Sequence, residues 1–167
     1  MTLPLRRLSG PRFARLPAVP VLVLVLVLAV TVGCSSTDAP ASVSVPSPPA
    51  EEMAFCRALD KELPKTVAGH DRGDPEPSSV TTAGWGDAAI VLRCGVPRPE
   101  RMSDPQAKGV DVDGVNWLLE ERDSGPRFTT TYRKTYVEVT LGEQYLHDIG
   151  PLSDLAAPVA DTVPPSL

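Results

Sequence analysis

The chain has 167 residues, of which 42% are hydrophobic and 22% charged. This balance excludes a wholly disordered chain and a collagen-like one. Nineteen prolines outnumber the eight aromatic residues, which indicates one modest core surrounded by loops and linkers. The first 33 residues hold four arginines and no acid, so the rest of the chain carries 12 basic and 21 acidic groups. Its resulting net charge of −9 argues against a general nucleic-acid binder.

The N-terminal segment has the order of charge and apolarity that is typical of an export signal. Four arginines precede an apolar run over residues 18–32, which only Pro20 and Thr31 interrupt. The run has 15 residues, whereas a membrane-spanning helix needs about 20. We therefore predict a signal peptide over residues 1–33 rather than a stable spanning helix.

Gly33 and Cys34 follow this run and resemble the lipobox of bacterial lipoproteins, in which a small residue precedes an acylated cysteine. Thr31 departs from the leucine that is usual three positions before that cysteine. The resemblance implies that Cys34 is lipidated and becomes the mature N-terminus. Because two acyl chains give stable anchoring, we expect a lipid anchor in the cell membrane, on its extracytoplasmic face. The alternative is an ordinary cysteine after a secretory cleavage site.

A tether is predicted over residues 34–50, between the anchor and the folded part. Residues 35–50 contain five serines, four prolines and no aromatic residue. Such a composition buries too little apolar surface to offset the entropy lost on ordering. As a random coil this segment would span roughly 22 Å. A single globular domain is then expected over residues 51–157, with a tail over residues 158–167.

The domain begins with a helical pattern over residues 51–63, which Pro64 ends. The apolar residues on one face of this helix are Phe55, Cys56, Leu59 and Leu63. Residues 69–84 are rich in Gly, Pro, Asp and Ser, and predict a long exposed loop. Residues 88–94 alternate in the manner of a strand.

Two hairpins are expected further along the chain. Asp113 and Gly114 separate two apolar runs, and an Asp-Gly pair suits the two positive φ angles of a type I′ turn. Residues 127–133 and 135–141 are rich in Thr, Tyr and Val and predict two more strands. A short helix is expected over residues 151–160, limited by an internal proline. The fold class is therefore α+β, with an N-terminal helix packed on an antiparallel sheet of four to five strands.

Three cysteines have to be assigned. If Cys34 is lipidated, Cys56 and Cys94 are the only other two, and an oxidising compartment favours a disulfide between them. This bridge would tie the N-terminal helix to the first strand and stabilise the domain by about 4 kcal/mol on the chain-entropy model. The alternatives are a metal site or a catalytic thiol. Two cysteines without a second pair do not make a zinc site, so we expect no metal and no cofactor.

A series of ordered blocks covers nearly the whole folded region. The blocks are CRAL at 56–59, LP at 63–64, VAG at 67–69, GWGDAAIVLRCGV at 84–96, VDGVNW at 112–117, FTTTYR at 128–133 and YVEV at 136–139. They resemble a family of small actinobacterial lipoproteins built on a domain of unknown function. Members often carry Pro near the position of Ala88 and Gly near that of Tyr132, and this chain departs from both. The resemblance implies a membrane-anchored envelope protein with no established activity.

Four arginines in or beside these blocks are candidates for binding an anionic envelope component, because the planar guanidinium fork suits carboxylate or phosphate. They are Arg57, Arg72, Arg93 and Arg133. The alternative is that they pair with acids inside the domain. Trp85 lies between two glycines and is a candidate exposed stacking residue, whereas Trp117 lies within a strand and is expected in the core.

Two classes of function follow. The first is a non-catalytic lipoprotein that binds or scaffolds another envelope protein or a cell-wall component. The alternative is an enzyme acting on cell-wall material, which would need convergent carboxylates or a histidine of shifted pKa in a cleft. The usual catalytic signatures GxSxG, GxxxxGK[ST], HExxH and GxGxxG do not occur in the sequence. We therefore favour the first class. A shared pocket around Arg93, Arg133 and Trp85 would support binding, whereas a buried pair of carboxylates would favour an enzyme.

Overall fold

The computed structural model describes residues 42–166. The predicted signal peptide and Cys34 lie outside the described residues. Within them the chain forms two α-helices, α1 (Ala50–Glu62) and α2 (Gly150–Thr162). The strands are β1 (Thr66–Val67), β2 (His70–Asp71), β3 (Thr82–Trp85), β4 (Ile90–Val96), β5 (Lys108–Val112), β6 (Val115–Glu120), β7 (Arg127–Thr130) and β8 (Tyr136–Leu141). β1 and β2 form a small separate hairpin.

The other six strands form one antiparallel sheet in the spatial order β3-β4-β8-β7-β6-β5. The predicted α+β class is confirmed, and the sheet has six strands rather than four or five. The additional strand is β3, so the predicted exposed loop over residues 69–84 is wrong for its last residues. All four residues of β3 are buried. Two of them, Ala83 and Gly84, are too small to give a strand pattern, and a Cβ on Gly84 would lie 2.9 Å from the Gly73 carbonyl oxygen.

Helix α1 fits the pattern predicted over residues 51–63. Two glutamates in its first turn offset the positive end of the helix dipole, and a lysine lies in its last turn. Cys56 and Leu59 are almost completely buried. Pro64 follows the C-cap residue Leu63 and prevents a further turn, because proline has no backbone N–H.

A disulfide joins Cys56 of α1 to Cys94 of β4, as predicted. The two Cα atoms lie 5.6 Å apart, within the usual range for such a bridge. Both cysteines are buried in the core. The bridge therefore fixes α1 against the sheet and closes a covalent loop that contains β1, β2 and β3.

The sheet has two chemically different faces. The inner face packs with both helices into one apolar core, whose larger members are Leu59, Trp85, Ile90, Leu92, Trp117, Phe128, Val139, Leu141, Leu152 and Leu155. The outer face carries a row that crosses all six strands through Thr82, Arg93, Glu138, Thr129, Leu118 and Gly109. Because side chains alternate along each strand, the residues two positions away on each strand share this outer face.

Strands β5 to β8 form a continuous meander. Asp113 and Gly114 connect β5 to β6 and have φ angles of +50° and +81°. These values confirm the predicted Asp-Gly hairpin, since a type I′ turn requires positive φ at both central residues. The turn fixes the register, so that Asp111 lies directly opposite Asn116 on the outer face.

Helix α2 continues past its internal proline, Pro158, and ends at Thr162. Val159 and Val163 are fully buried, and their burial offsets the backbone hydrogen bond that Pro158 cannot make. The Thr162 hydroxyl donates a hydrogen bond of 2.7 Å to the Pro158 carbonyl. The prediction of a tail from residue 158 is therefore corrected: the domain includes this helical end.

Residues 42–49, at the end of the predicted tether, lie against the domain. The Val43 amide donates to the Glu76 carbonyl at 3.1 Å. The Thr81 hydroxyl donates to the Pro46 carbonyl at 3.2 Å, and a Cβ on Gly95 would meet the Pro48 ring. The prediction of a disordered segment is therefore wrong for these eight residues, because contacts made far along the chain provide the hydrogen bonds and packing that the local composition lacks.

Candidate functional site

The structure does not bring Arg93 and Arg133 together on one ligand-facing surface. Arg93 extends from β4 on the outer face, where its Nε donates to Glu138 Oε1 at 2.9 Å. Arg133 lies in the loop before β8, and its Nη1 donates to the Val163 carbonyl at 2.9 Å. The guanidinium of Arg133 thus satisfies a carbonyl at the C-terminal end of α2, where positive charge is favourable. Each arginine is therefore engaged by the fold.

The two other candidate arginines differ from each other. Arg72 donates to Asp60 Oδ1 at 2.6 Å and to Asp74 Oδ1 at 2.7 Å. Burial lowers the pKa of Arg72, but the hydrogen bonds to Asp74 and Asp60 outweigh it and leave the pKa above its ordinary value. Arg57 is exposed on α1 and donates no hydrogen bond to a residue between 42 and 166. Arg72 is structural, and Arg57 is far less constrained.

Trp85 is not the exposed stacking residue that its flanking glycines suggest. It is 0% exposed, and its indole N–H donates to the Pro64 carbonyl at 3.1 Å. Trp117 is 1% exposed and lies in the core, as predicted. Its indole N–H has no acceptor among residues 42–166. The structure therefore forms no shared pocket around Arg93, Arg133 and Trp85, because Trp85 and Arg93 belong to opposite faces of the sheet.

An ionic row occupies the middle of the outer face and consists of Arg93, Glu138, Arg127 and Glu120. Glu138 accepts from Arg93 at 2.8 Å, and its other oxygen lies 3.7 Å from Arg127. Arg127 forms two bonds of 2.9 Å with Glu120. These hydrogen bonds to Glu120 raise the pKa of Arg127; burial opposes the rise, and the charges of Glu120 and Glu138 add to it. The row joins β4, β8, β7 and β6 and leaves little free charge for a ligand.

A pocket of about 510 Å³ lies beside this row, where β5, β6 and the start of β8 meet the surrounding loops. Its lining residues are Arg98, Met102, Ala107, Lys108, Gly109, Val110, Asp111, Asn116, Trp117, Leu118, Thr131, Tyr132, Tyr136 and Ser166. None of the four candidate arginines is among them. The pocket combines aromatic rings with amide, carboxylate and guanidinium groups.

The floor of the pocket depends on Gly109. This glycine lies directly opposite Leu118 in the β5–β6 pair, and Leu118 is 3% exposed. Because Gly109 has no side chain, the outer face has free space beside Leu118. A Cβ at Gly109 would lie 3.5 Å from the Trp117 carbonyl oxygen, an ordinary contact. A larger residue would therefore fit at this position of the pocket lining without a backbone clash.

Tyr132 forms one wall of the pocket and adopts an unfavourable backbone conformation. Its φ angle is +57°, which costs a residue with a side chain about 1–2 kcal/mol. The strain persists because the backbone is fixed on both sides: the Thr131 amide donates to the Asn116 carbonyl, and the Ser166 amide donates to the Tyr132 carbonyl. The side chain is 60% exposed.

Arg98 also lines the pocket and is oriented by its neighbours. Its guanidinium donates to Ser103 Oγ at 2.8 Å and to the Met102 carbonyl at 3.2 Å. It forms no ion pair with a residue of the described range 42–166, unlike Arg72, Arg93 and Arg127. Arg98 is therefore an exposed, oriented cation whose charge is available to a ligand.

Sequence reasoning missed most of these residues. Asp111 and Asn116 could have been paired in advance, because a two-residue turn at Asp113 and Gly114 fixes them opposite each other. Arg98 and Tyr132 come from loops, and no periodicity in the sequence brings them together.

Among residues 42–166, no group of three or more His, Cys, Asp and Glu side chains could hold a metal ion. Over the same range, no helix has both the length and the apolarity needed to cross a membrane. Asp111 is the one carboxylate among the described residues that line the pocket.

A family model described as "Protein of unknown function (DUF3515)" matches residues 16–166. The chain belongs to this family, which confirms the resemblance to a domain of unknown function. Neither the curated proteins nor the solved structures include a significant match to the chain.

Proposed function

We propose that this protein is an actinobacterial lipoprotein, anchored through Cys34 on the extracytoplasmic face of the cell membrane, which binds another envelope component without catalysing a reaction. The observation that carries the proposal is the Cys56–Cys94 disulfide. A buried disulfide suits an oxidising, extracytoplasmic compartment. It also consumes two of the three cysteines, so that Cys34 is the one thiol left for acylation.

The N-terminal sequence supports the same location. The family match begins at residue 16 and so includes the apolar run over residues 18–32 and Cys34. The run is too short for stable spanning, and the cysteine follows it at the lipobox position. An excess of twelve arginines over four lysines is typical of GC-rich coding sequences and agrees with an actinobacterial source.

The pocket supports binding rather than catalysis. General acid–base chemistry on a glycan or peptide needs at least one group of suitable pKa placed against a second catalytic group. Among the described residues, the pocket offers the single carboxylate of Asp111, and one of its oxygens already accepts a bond of 3.3 Å from the Gly114 amide. Its aromatic rings and planar polar groups are those of a recognition surface.

The experiment replaces Cys34 with alanine in the full chain and compares it with Ser35→Ala, a matched change at the next position. Cells are labelled with an alkyne analogue of palmitate and separated into membrane and soluble fractions, and the mature mass is measured. We expect the Ser35→Ala protein to carry the label and remain with the membrane. The Cys34→Ala protein should carry no label and accumulate as an unprocessed or released form. Equal labelling of both proteins would refute the lipid anchor.

A further inference from the structure

The pocket on the outer face of the sheet has the size and position of a small-molecule site. Its volume of about 510 Å³ falls within the range of roughly 300–1,000 Å³ that such sites occupy. The apolar core lies on the other face, so the pocket is not a packing defect of that core. Leu118 lines the pocket although it is itself almost buried, and Gly109 opposite it contributes no side chain to the outer face.

Two tyrosines give the pocket aromatic walls. Tyr136 is partly buried at the start of β8, and Tyr132 projects into solvent from its strained position. An aromatic ring attracts the apolar C–H face of a sugar ring, and a phenol also offers a hydroxyl for hydrogen bonding. Tyr132 is 60% exposed, so its ring is available to contact a ligand, and the two backbone hydrogen bonds around it hold it at the edge of the pocket.

The polar groups of the pocket suit hydroxyls and one negative charge. Asp111 and Asn116 lie opposite each other across β5 and β6, where a carboxylate accepts and an amide both donates and accepts hydrogen bonds. Arg98 presents a guanidinium that forms no ion pair with residues 42–166, and such a fork binds a carboxylate in two parallel bonds.

We propose that this pocket binds a saccharide that carries a carboxylate, with its sugar rings against Tyr132 and Tyr136 and its carboxylate on Arg98. The inference rests on the proposed binding role and supplies the ligand class for it. A highly charged phosphate ligand fits less well, because Asp111 lies in the same pocket as Arg98 and Lys108. An acidic peptide is the competing occupant, and a comparison with tetraglutamate distinguishes it from a saccharide.

The test is isothermal titration calorimetry on the full chain purified in detergent. The carboxylated probes are a hyaluronan tetrasaccharide and trigalacturonate, and their neutral counterparts are chitotetraose and maltotriose. We expect at least one carboxylated probe to bind at millimolar concentration or below, at least tenfold more tightly than its neutral counterpart. Binding of neither carboxylated probe would overturn the proposal. Tighter binding of tetraglutamate than of both saccharides would assign the pocket to a peptide.

Three variants locate the binding. Arg98→Met should remove the preference for the carboxylated probe, whereas Arg101→Met, an equivalent change at an exposed arginine paired with Asp104 outside this pocket, should leave it unchanged. Gly109→Leu should place a side chain in the pocket beside Leu118 and abolish binding. If the Arg98→Met and Gly109→Leu variants both bind the carboxylated probe as tightly as the wild-type chain does, the probe binds elsewhere and the proposal fails.

Tyr132→Gly separates binding from folding. Glycine relieves the strain at φ +57°, so the melting temperature should stay the same or rise while affinity falls at least tenfold. Unchanged affinity in this variant would refute a role of the Tyr132 ring. None of these outcomes affects the Cys34 labelling result, so failure of the saccharide site and failure of the anchoring proposal are distinguishable.

Discussion

The guanidinium of Arg93 lies 2.8 Å from the carboxylate of Glu138 and joins β4 to β8 across the outer face. The side chain of Glu138 is only 7% exposed, whereas that of Arg93 is 25% exposed. A nearly buried carboxylate requires a partner, because an unpaired buried charge is strongly unfavourable. The ion pair therefore gives Arg93 a structural role that is independent of any ligand.

Replacing Arg93 with methionine should reduce the free energy of unfolding by about 1–3 kcal/mol, since Glu138 loses its hydrogen-bonded partner. Arg127, at 3.7 Å from Glu138, limits the loss. The matched control is Lys108→Met, which breaks an exposed ion pair with Glu121 and should have a much smaller effect, because solvent screens such a pair. Denaturant titration measures both values. An Arg93→Met protein as stable as the wild type would contradict a structural role for Arg93.

Arg133→Met should destabilise the domain by about 1 kcal/mol and loosen the end of α2, because the Val163 carbonyl loses its donor. Hydrogen exchange of amides 159–163 should quicken. Arg57→Met is the control, since Arg57 is exposed and makes no hydrogen bond with the described residues. Identical exchange in the two variants would contradict a capping role for Arg133.

The double variant Cys56→Ala/Cys94→Ala should lose about 4 kcal/mol, because the bridge closes a loop with a sequence separation of 38 residues. The wild-type chain should present no reactive thiol from these two cysteines until it is unfolded and reduced. Thiol titration with and without reductant, combined with thermal melts, checks both expectations. Two reactive thiols from Cys56 and Cys94 in the native chain would contradict the disulfide.

Gly84→Ala should destabilise the domain by about 1–3 kcal/mol, because the new Cβ would lie 2.9 Å from the Gly73 carbonyl oxygen and force the backbone to shift. Gly73→Ala is the control, since a Cβ there has nothing within 4 Å. Thermal melts should separate the two variants clearly. Equal melting temperatures would show that the approach of β3 to Gly73 is not tight.

The carboxyl of Glu121 should titrate below its ordinary value of 4.5, because the hydrogen bond and charge of Lys108 lower its pKa. A lowered pKa means that the pair stabilises the fold above the ordinary value, and that this contribution is lost as the pH falls through the folded-state value. The effect on stability is small because the group is fully exposed. Carboxyl NMR titration of the wild type and of Lys108→Met measures it, and identical midpoints would exclude the ion pair in solution.

The sequence predicted those parts of the fold that depend on local chemistry. Residues 51–63 carry their helix signal in the spacing of apolar side chains, and the Asp113–Gly114 turn requires only its own two φ angles. The Cys56–Cys94 pairing followed from the number of cysteines rather than from geometry. Each of these features depends on residues that are close in sequence or on the number of cysteines in the chain.

The features that sequence reasoning missed depend on distant contacts. Residues 42–49 look disordered until Glu76 and Thr81 supply hydrogen bonds to them. Trp85 looks exposed between two glycines until the Pro64 carbonyl accepts its indole N–H. The pocket combines residues of β5, β6 and β8 with loop residues such as Arg98 and Tyr132, and no periodic pattern in the sequence brings these together.

The order of strands in the sheet separates local from distant pairings, and this has a consequence for the path of folding. β5 to β8 pair in sequence as a meander, whereas β4 pairs with β8, some forty residues further along the chain. Closing such a long loop is slow compared with forming neighbouring hairpins. We therefore expect the meander to form first and to receive β3 and β4 in the last step. Cys56 and Cys94 both precede the meander in the chain. If they are oxidised while the chain is still being exported, the disulfide holds α1 and β4 together before β4 pairs with β8.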